Sequence, residues 1–425
     1  MRVAIIGSGI AGLGCARLLQ RQGCAVTLFE ANAYAGGHTH TVDVTLDGVT
    51  APVDTGFLVY NDRTYPRLVA LFDDLGIESA PSAMSFAVRD DVAGVEWAGS
   101  NLRSLFAQAA NLGRPAFWRM LADILRFNRD TTAMLRAERL GTITLGEYLE
   151  RGEFSASFRD WYLLPMGAAI WSVPPSTVLE FPLPTLVRFC SQHGLLQIFD
   201  RPQWRTVVGG ARTYVERMVA QLSDVRLSTP VRRVRRHGGH IEIDTPATAG
   251  ERFDQVVFAC HSDQTLALLA DPTHQETELL RSVRYQPNRV LLHTDPRLMP
   301  RRRRAWSAWN YLAPGERAND PVCVTYWINR LQPLPFKTPV LVTLNPPFDP
   351  RPDLFIAAFE YSHPIVKSTA VTAQQRFVCL QGQRRTWYAG AWLGHGFHED
   401  GLASAHHVAQ GIAAGAMLAA ELAAA

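Results

Sequence analysis

Cysteine is scarce in this chain of 425 residues: Cys15, Cys24, Cys190, Cys260, Cys323 and Cys379 lie far apart, with no C-x-x-C pair. That spacing argues against a structural zinc or a disulfide framework and predicts a reducing compartment. Charge of one sign is also lacking. A net charge of +3 gives no electrostatic footprint for nucleic acid. No apolar run reaches membrane-spanning length, and the best of them, Trp161 to Val173, contains Pro165. A strand that starts at residue 3 leaves no room for a signal peptide. There is no internal repeat, no low-complexity linker and only one GxGxxG loop. The adjacent His406 and His407 sit in a helical pattern, where neighbours in sequence point apart, so no metal is expected. These absences predict a cytoplasmic protein without nucleic-acid partners.

The hydrophobic fraction is 47%, with ten Trp and twenty Phe. This is ample for a large core and predicts two domains or one bilobal unit.

The first thirty residues carry the strongest signal. Val3-Ala4-Ile5-Ile6 runs into Gly7-Ser8-Gly9-Ile10-Ala11-Gly12, a helical stretch follows over Leu13 to Gln22, and Ala25 to Phe29 closes on Glu30. This is a GxGxxG loop inside a complete β-α-β unit. Gly7 permits the tight turn, Gly9 lets backbone approach a pyrophosphate, and Gly12 allows helix and strand to pack closely. The helix N-terminus offers unpaired N–H groups to phosphate, and Glu30 can accept hydrogen bonds from a ribose. A glycine-rich turn of an ordinary α/β protein explains the glycines but not the acid.

Further along, the pattern alternates. Residues 100–160 read as helices, with Leu102, Leu105, Phe106 and Ala109, then Phe117, Leu121, Ile124 and Leu125, at helical spacing. Strand patterns return at Arg226 to Ser228, Val231 to Val234, Ile241 to Ile243 and Val256 to Ala259. Short β-like runs follow at Arg289 to His293, Val322 to Trp327, Val340 to Leu344 and Phe355 to Phe359, and Gly401 to Ala425 reads as an alanine-rich helix. The expected fold is α/β (α+β bilobal). A Rossmann-like domain is drawn from 1–75, 205–265 and 376–425, and 76–204 with 266–375 form an inserted substrate domain of β-sheet and helices.

Several further motifs stand in order: Ala35-Gly36-Gly37-His38-Thr39, Val53-Asp54-Thr55-Gly56-Phe57, Val207-Val208-Gly209-Gly210, and finally Tyr388-Ala389-Gly390 with Glu399-Asp400-Gly401. Together with GxGxxG and its acid, they resemble the flavin amine oxidase, protoporphyrinogen oxidase and phytoene desaturase superfamily. Asp54 to Phe57, Tyr60-Asn61 and Thr64-Tyr65-Pro66 are most similar to a bacterial branch of NAD/FAD-binding oxidoreductases associated with cyclopropane fatty-acid synthase-like methyltransferases.

The resemblance implies a glutathione-reductase-type domain that binds FAD. Gly7, Ser8, Gly9, Ala11 and Gly12 would line the pyrophosphate, and Glu30 would hold the adenosine ribose. Gly36, Gly37, His38 and Thr39 would continue the phosphate and ribityl path, with His38 standing where the family usually has Arg. Thr55, Gly56 and Phe57 would run beside the isoalloxazine, Val231 would offer its backbone to the adenine, and Gly390, His398 and Glu399 would close the last loop over the flavin. The segment Glu360 to Pro364 has no cysteine where monoamine oxidases tether flavin, so non-covalent FAD is implied.

Flavin carries the redox chemistry, and the protein supplies position and dryness. Phe397 aligns with an aromatic-cage position at which amine oxidases commonly have Tyr, which favours an apolar substrate. Trp392 reads either as a second wall or as core. His395, His398, His363 and Tyr60 are candidate proton handlers, although histidines in such loops also serve as backbone hydrogen-bonders. The stretch 101–140 carries seven Arg among Phe106, Phe117, Trp118 and Phe127, and Arg301 to Arg304 form a tract. Both read as peripheral membrane contacts or as solvated surface. The expectation is an FAD-dependent oxidoreductase acting on a fatty acyl chain or other lipid, with a methyltransferase-like enzyme as candidate partner. The alternatives are an amine or amino-acid oxidase and a non-catalytic flavoprotein.

Overall fold

The protein is described by a computed structural model covering residues 1–197, 201–313, 315 and 320–424, with side chains described to residue 416. The first layer is a five-stranded parallel sheet ordered Val225–Arg226, Ala25–Phe29, Arg2–Ile6, Gln255–Phe258, Thr386–Tyr388. Its central strands are continuous apolar runs because both faces are covered. Ile6 pairs with Phe29 on one side and Phe258 on the other.

The helix Ile10–Arg21 starts earlier than its apolar pattern suggests, directly after the strand has ended at Ile6 and Gly9 has capped the first turn. It packs against the long helix His398–Ala424. Small residues set that approach: a Cβ on Gly401 would lie 2.7 Å from Ile10 Cγ2, and one on Gly14 would lie 3.0 Å from the Ala405 methyl. Chain ends remote in sequence thereby brace one phosphate loop. The strand pattern at 226–228 stops at Arg226, since Ser228 turns left-handed at φ +48°.

A seven-stranded mixed sheet forms the second layer, ordered Phe355–Ile365, Arg284–His293, Leu341–Leu344, Cys323–Trp327, Trp309–Ala313, Phe86–Asp90, Val95–Ala98. Helices Pro115–Arg136, Leu145–Arg151, Leu164–Trp171 and Leu183–Gln192 share its hydrophobic core. Thr144 caps one of them: its hydroxyl accepts from the Glu147 N–H, and the Glu147 carboxylate accepts from the Thr144 N–H. Pro165 sits in the first turn of Leu164–Trp171. The π-turn Arg159–Leu163 ahead of it absorbs the lost hydrogen bond, so the helical path continues. No helix among the described residues is long and apolar enough to cross a membrane.

Between the layers lies a small sheet of Tyr60–Asn61, Trp204–Val207 and Ser79–Ser82. Buried Asp54 also joins them. Its carboxylate accepts from Thr41 Oγ1 at 2.5 Å, Ala211 N at 2.9 Å and Gln332 Nε2 at 2.7 Å, so three distant segments meet at one side chain. Burial pushes this carboxyl up to about 7 against the pull of those donors.

Candidate functional site: a dinucleotide cradle beside an aromatic wall

Each glycine of the first loop has a separate steric reason. Gly7 sits at φ +103°, and a Cβ there would lie 2.9 Å from Ala259 O. A Cβ on Gly12 would fall 1.9 Å from Gly7 O, so helix and loop could not close. Gly9 differs. Its backbone is extended (φ −63°, ψ 177°), and a Cβ there would meet nothing within 4 Å. Neither backbone strain nor packing demands glycine at Gly9; the space beside it is open. Gly37 crosses over it, with a Cβ position 3.2 Å from Gly9 Cα, and the Gly36 N–H donates to Ser8 O at 3.0 Å. Ala11 and Gly12 lie in the first turn of the helix, whose N–H groups and positive dipole end favour an anion.

Glu30 ends the neighbouring strand and is buried. Its Oε2 accepts from Ser8 N at 2.9 Å and Ser8 Oγ at 2.6 Å, and its Oε1 accepts from Asn32 N at 2.9 Å. The carboxylate therefore fixes the loop. The Thr229 and Ser228 N–H groups donate to Glu30 O and Asn32 O, which brings Val231 alongside; its side chain packs with the core around Phe29.

Past Gly37, His38 is half-buried, and its solvent-shielded Nε2 has no partner among the described residues. The His38 ring centroid lies 5.2 Å from that of His363 and 6.2 Å from that of His261. Burial, with His261 adding to it, pushes His38 down to about 4; His363 falls to about 3 for the same reason. A Cβ on Gly56 would strike His38 O at 2.0 Å, and the Phe57 N–H donates to that same oxygen. Thr55 Oγ1 meets Tyr361 OH at 2.7 Å, and Thr39 Oγ1 meets Tyr214 OH at 2.5 Å and His398 Nε2 at 3.0 Å. His398 stacks on Phe57 with centroids 3.7 Å apart, and burial lowers it to about 3. The open space at Gly9, the helix N-terminus and the unpartnered His38 nitrogen fit the diphosphate of a flavin dinucleotide.

The last loop divides its labour. Asp400 accepts from the Phe397 N–H at 2.9 Å and caps the long helix from its first turn. Glu399 points elsewhere: its carboxylate accepts from Arg67 N and Leu68 N at 3.1 Å, at the start of the helix Pro66–Leu75. The Glu399 side chain is thus spent on a second helix N-terminus, and only its backbone is left to face a cofactor. Gly390 has no room for a Cβ, which would lie 2.3 Å from Trp392 Nε1.

Phe397 belongs to an aromatic wall that sequence reasoning did not assemble. Its ring stacks on Phe189 at 5.0 Å, Phe189 stacks on His193 at 3.9 Å, and His193 lies 6.1 Å from Trp204. Burial lowers His193 to about 4, which leaves it neutral. His395 lies 5.9 Å from Phe189 at the edge of this wall.

Two expected site residues belong to cores instead. Trp392 is buried against Phe377, and its indole N–H donates to Cys260 O at 3.1 Å, so it is no substrate wall. Tyr60 is packed against Phe72 and Tyr65 as part of the core. His237, His240 and Glu242 cluster on the antiparallel hairpin of strands Arg233–Arg236 and Ile241–Asp244, where Arg235 also engages the carboxylate.

Comparison with known proteins settles the class. The model for flavin-containing amine oxidoreductases matches residues 10–327. The chain belongs to this family. A Mycobacterium tuberculosis protein named for a flavin-containing monoamine oxidase, AofH, is 28% identical over 64% of this chain and 59% of its own length. Carotenoid phi-ring synthase of Streptomyces griseus is 29% identical over 63% of this chain and 54% of its own. The chain thus spans little more than half the length of these relatives. Among solved structures, a fatty acid isomerase from P. acnes that produces CLA superposes with a TM-score of 0.69 at 15% identity, covering 96% of this chain and 98% of that one. At that identity the likeness concerns the fold alone.

Proposed function

We propose that this chain is an FAD-dependent oxidoreductase acting on a hydrophobic substrate, a fatty acyl chain undergoing desaturation, dehydrogenation or isomerisation by hydride transfer to the flavin. The observation that carries this reading is the uncharged wall of Phe397, Phe189 and His193. An apolar chain gains about 25 cal/mol for each Å² it buries against such a surface, whereas an ammonium group would give up its hydration against those rings. A relative named for carotenoid chemistry supports an apolar substrate.

Bound FAD supplies the two-electron acceptor. The chain's own residues hold it, with Glu30 and the 7–12 loop at the adenosine and diphosphate end and Thr39, Thr55 and His398 toward the ring. Phe397 and Phe189 orient the substrate and keep water away, which matters because small misplacements at a reacting centre are costly. A second reading, amine oxidation, is supported by the likeness to the protein named for a monoamine oxidase. Anaerobic titration separates the two. Unsaturated or methyl-branched fatty acyl lipids should bleach or shift the flavin spectrum while primary amines leave it unchanged. Fast bleaching by an amine, with no response to any lipid, would transfer the assignment to amine oxidation.

A further inference from the structure

From Trp97 to Ala122 the chain contains no acidic residue, yet it carries Arg103, Arg114 and Arg119. The structure folds this stretch into the short helix Leu102–Leu105, the turn Ala109–Gly113 and the first two turns of Pro115–Arg136. Four large apolar side chains here face solvent: Leu102 (74% exposed), Leu112 (55%), Trp118 (50%) and, just beyond, Leu125 (56%). Trp118 and Leu125 are seven residues apart and so share one helix face. The Trp118 indole N–H donates to Leu112 O at 2.9 Å, and the Phe106 ring lies 5.5 Å from Trp118, so this apolar group is held together as a unit. Small residues fill the gaps, with Ala109, Ala110, Pro115, Ala116 and Ala122 all exposed.

A basic rim adjoins it. The turn Arg303–Ala305 packs against Leu102–Leu105. Arg301 and Arg302 are partnered by Asp91 and Glu96, and Arg303 lies 3.8 Å over the Trp306 ring. Arg103, Arg119 and Arg304 are exposed and, among the described residues, no carboxylate pairs with them. Asp123, the first acid after the stretch, is turned inward onto Ser155 and Arg126.

We infer that this face is a docking surface for an anionic lipid bilayer, with Leu102, Leu112, Trp118 and Leu125 entering the interface and Arg103, Arg119 and Arg304 meeting lipid phosphates. The physics of interfacial helices supports that occupant: apolar and aromatic side chains at the acyl boundary, arginines at headgroup level and no acid to be repelled. Charge complementarity selects the bilayer over a second copy of the chain, since two such faces would bring arginine against arginine. The surface also sits close to the site, because Pro115–Arg136 packs on Leu183–Gln192, the helix that carries Phe189. A membrane-dissolved substrate would then enter from the face that touches the membrane.

The test reads binding rather than turnover, so its failure is separable from failure of the substrate reading. FAD-loaded protein is sedimented with vesicles of phosphatidylcholine alone and of phosphatidylcholine mixed with anionic phosphatidylglycerol. Binding should need the anionic lipid and weaken at high salt. Replacing Arg103, Arg119 and Arg304 together with Ala should cost about fivefold in affinity per arginine. Leu112→Glu with Leu125→Glu should abolish binding while flavin content and melting temperature stay unchanged, since both side chains are exposed. Val378→Glu, an exposed apolar position remote from this face in sequence, should have no effect. Absence of binding to anionic vesicles, or binding indifferent to the leucine substitutions, would overturn the proposal. So would a stable dimer in gel filtration that the same leucine substitutions dissolve.

Discussion

Gly9→Val isolates the cradle from the fold. At φ −63° and ψ 177° a valine is conformationally allowed, and the Cβ enters open space. Replacing glycine at a compatible site restricts the unfolded chain and stabilises by about 0.4–1 kcal/mol, so the variant apoprotein should melt no lower than wild-type apoprotein. The side chain does occupy the volume a diphosphate needs. Displacing that anion from two N–H groups at the start of Ile10–Arg21, each charge-assisted bond being about 1.5–3 kcal/mol, costs about 3–6 kcal/mol. This is about a hundredfold to ten-thousandfold in Kd. The assay is the flavin-to-protein absorbance ratio after purification, with Kd from fluorescence quenching of added FAD and melting curves of both apoproteins. Gly12→Ala is the contrasting variant, because its Cβ would lie 1.9 Å from Gly7 O and so disrupt the loop itself. Full flavin occupancy in Gly9→Val would refute the phosphate-cradle argument. An apoprotein that melts well below wild type would show that Gly9 is structural instead.

Glu399→Ala removes the acceptor at the start of Pro66–Leu75 and should cost about 0.5–2 kcal/mol of stability, seen as a lower urea midpoint with most flavin retained. Phe397→Ala should slow flavin reduction by a lipid substrate at least tenfold in stopped-flow while FAD content is unchanged; loss of FAD would place Phe397 in the cofactor's own shell. His38, His363 and His398 are held neutral, near 4, 3 and 3, against about 6.5 in the unfolded chain. Below pH 6.5 the unfolded state therefore binds more protons than the folded one. Apoprotein stability should fall as pH drops from 6.5 toward 4, by up to about 1.4 kcal/mol per pH unit for each histidine. Urea midpoints equal at pH 7.5 and pH 5 would contradict this.

The nucleotide layer was legible because its signal is contiguous. Val3 to Glu30 holds strand, loop, helix and acid within one β-α-β unit, and each glycine constrains its own neighbourhood. The motifs at 36–39, 54–57 and 388–401 were legible as a set through family resemblance. What they touch was not. Asp54, with its hairpin partner Thr41, draws in Ala211 and Gln332 from far along the chain, and periodicity carries no information about such meetings. Trp392 and Tyr60 were read toward the site because an aromatic residue in a motif loop suits a core and a pocket equally. Only packing distinguishes them: the Trp392 indole N–H is already used by Cys260 O. Phe189 and His193 were missed for the converse reason, since both lie in or beside an ordinary amphipathic helix whose buried face looks like core.

Glu399 and Asp400 show how little a motif says about division of labour. They are adjacent acids at the start of one helix, where carboxylates are favoured by the dipole whatever else they do. Because helical neighbours diverge by about 100°, one must point away from the other. Asp400 turns back to accept from the Phe397 N–H, which fixes the backbone from which the Phe397 ring reaches Phe189. Glu399 turns outward to the start of Pro66–Leu75, the helix that follows the Thr64-Tyr65-Pro66 signature. One pair of carboxylates thus sets the aromatic wall on one side and ties the neighbouring helix on the other. The last loop therefore holds its shape through this division between the two acids.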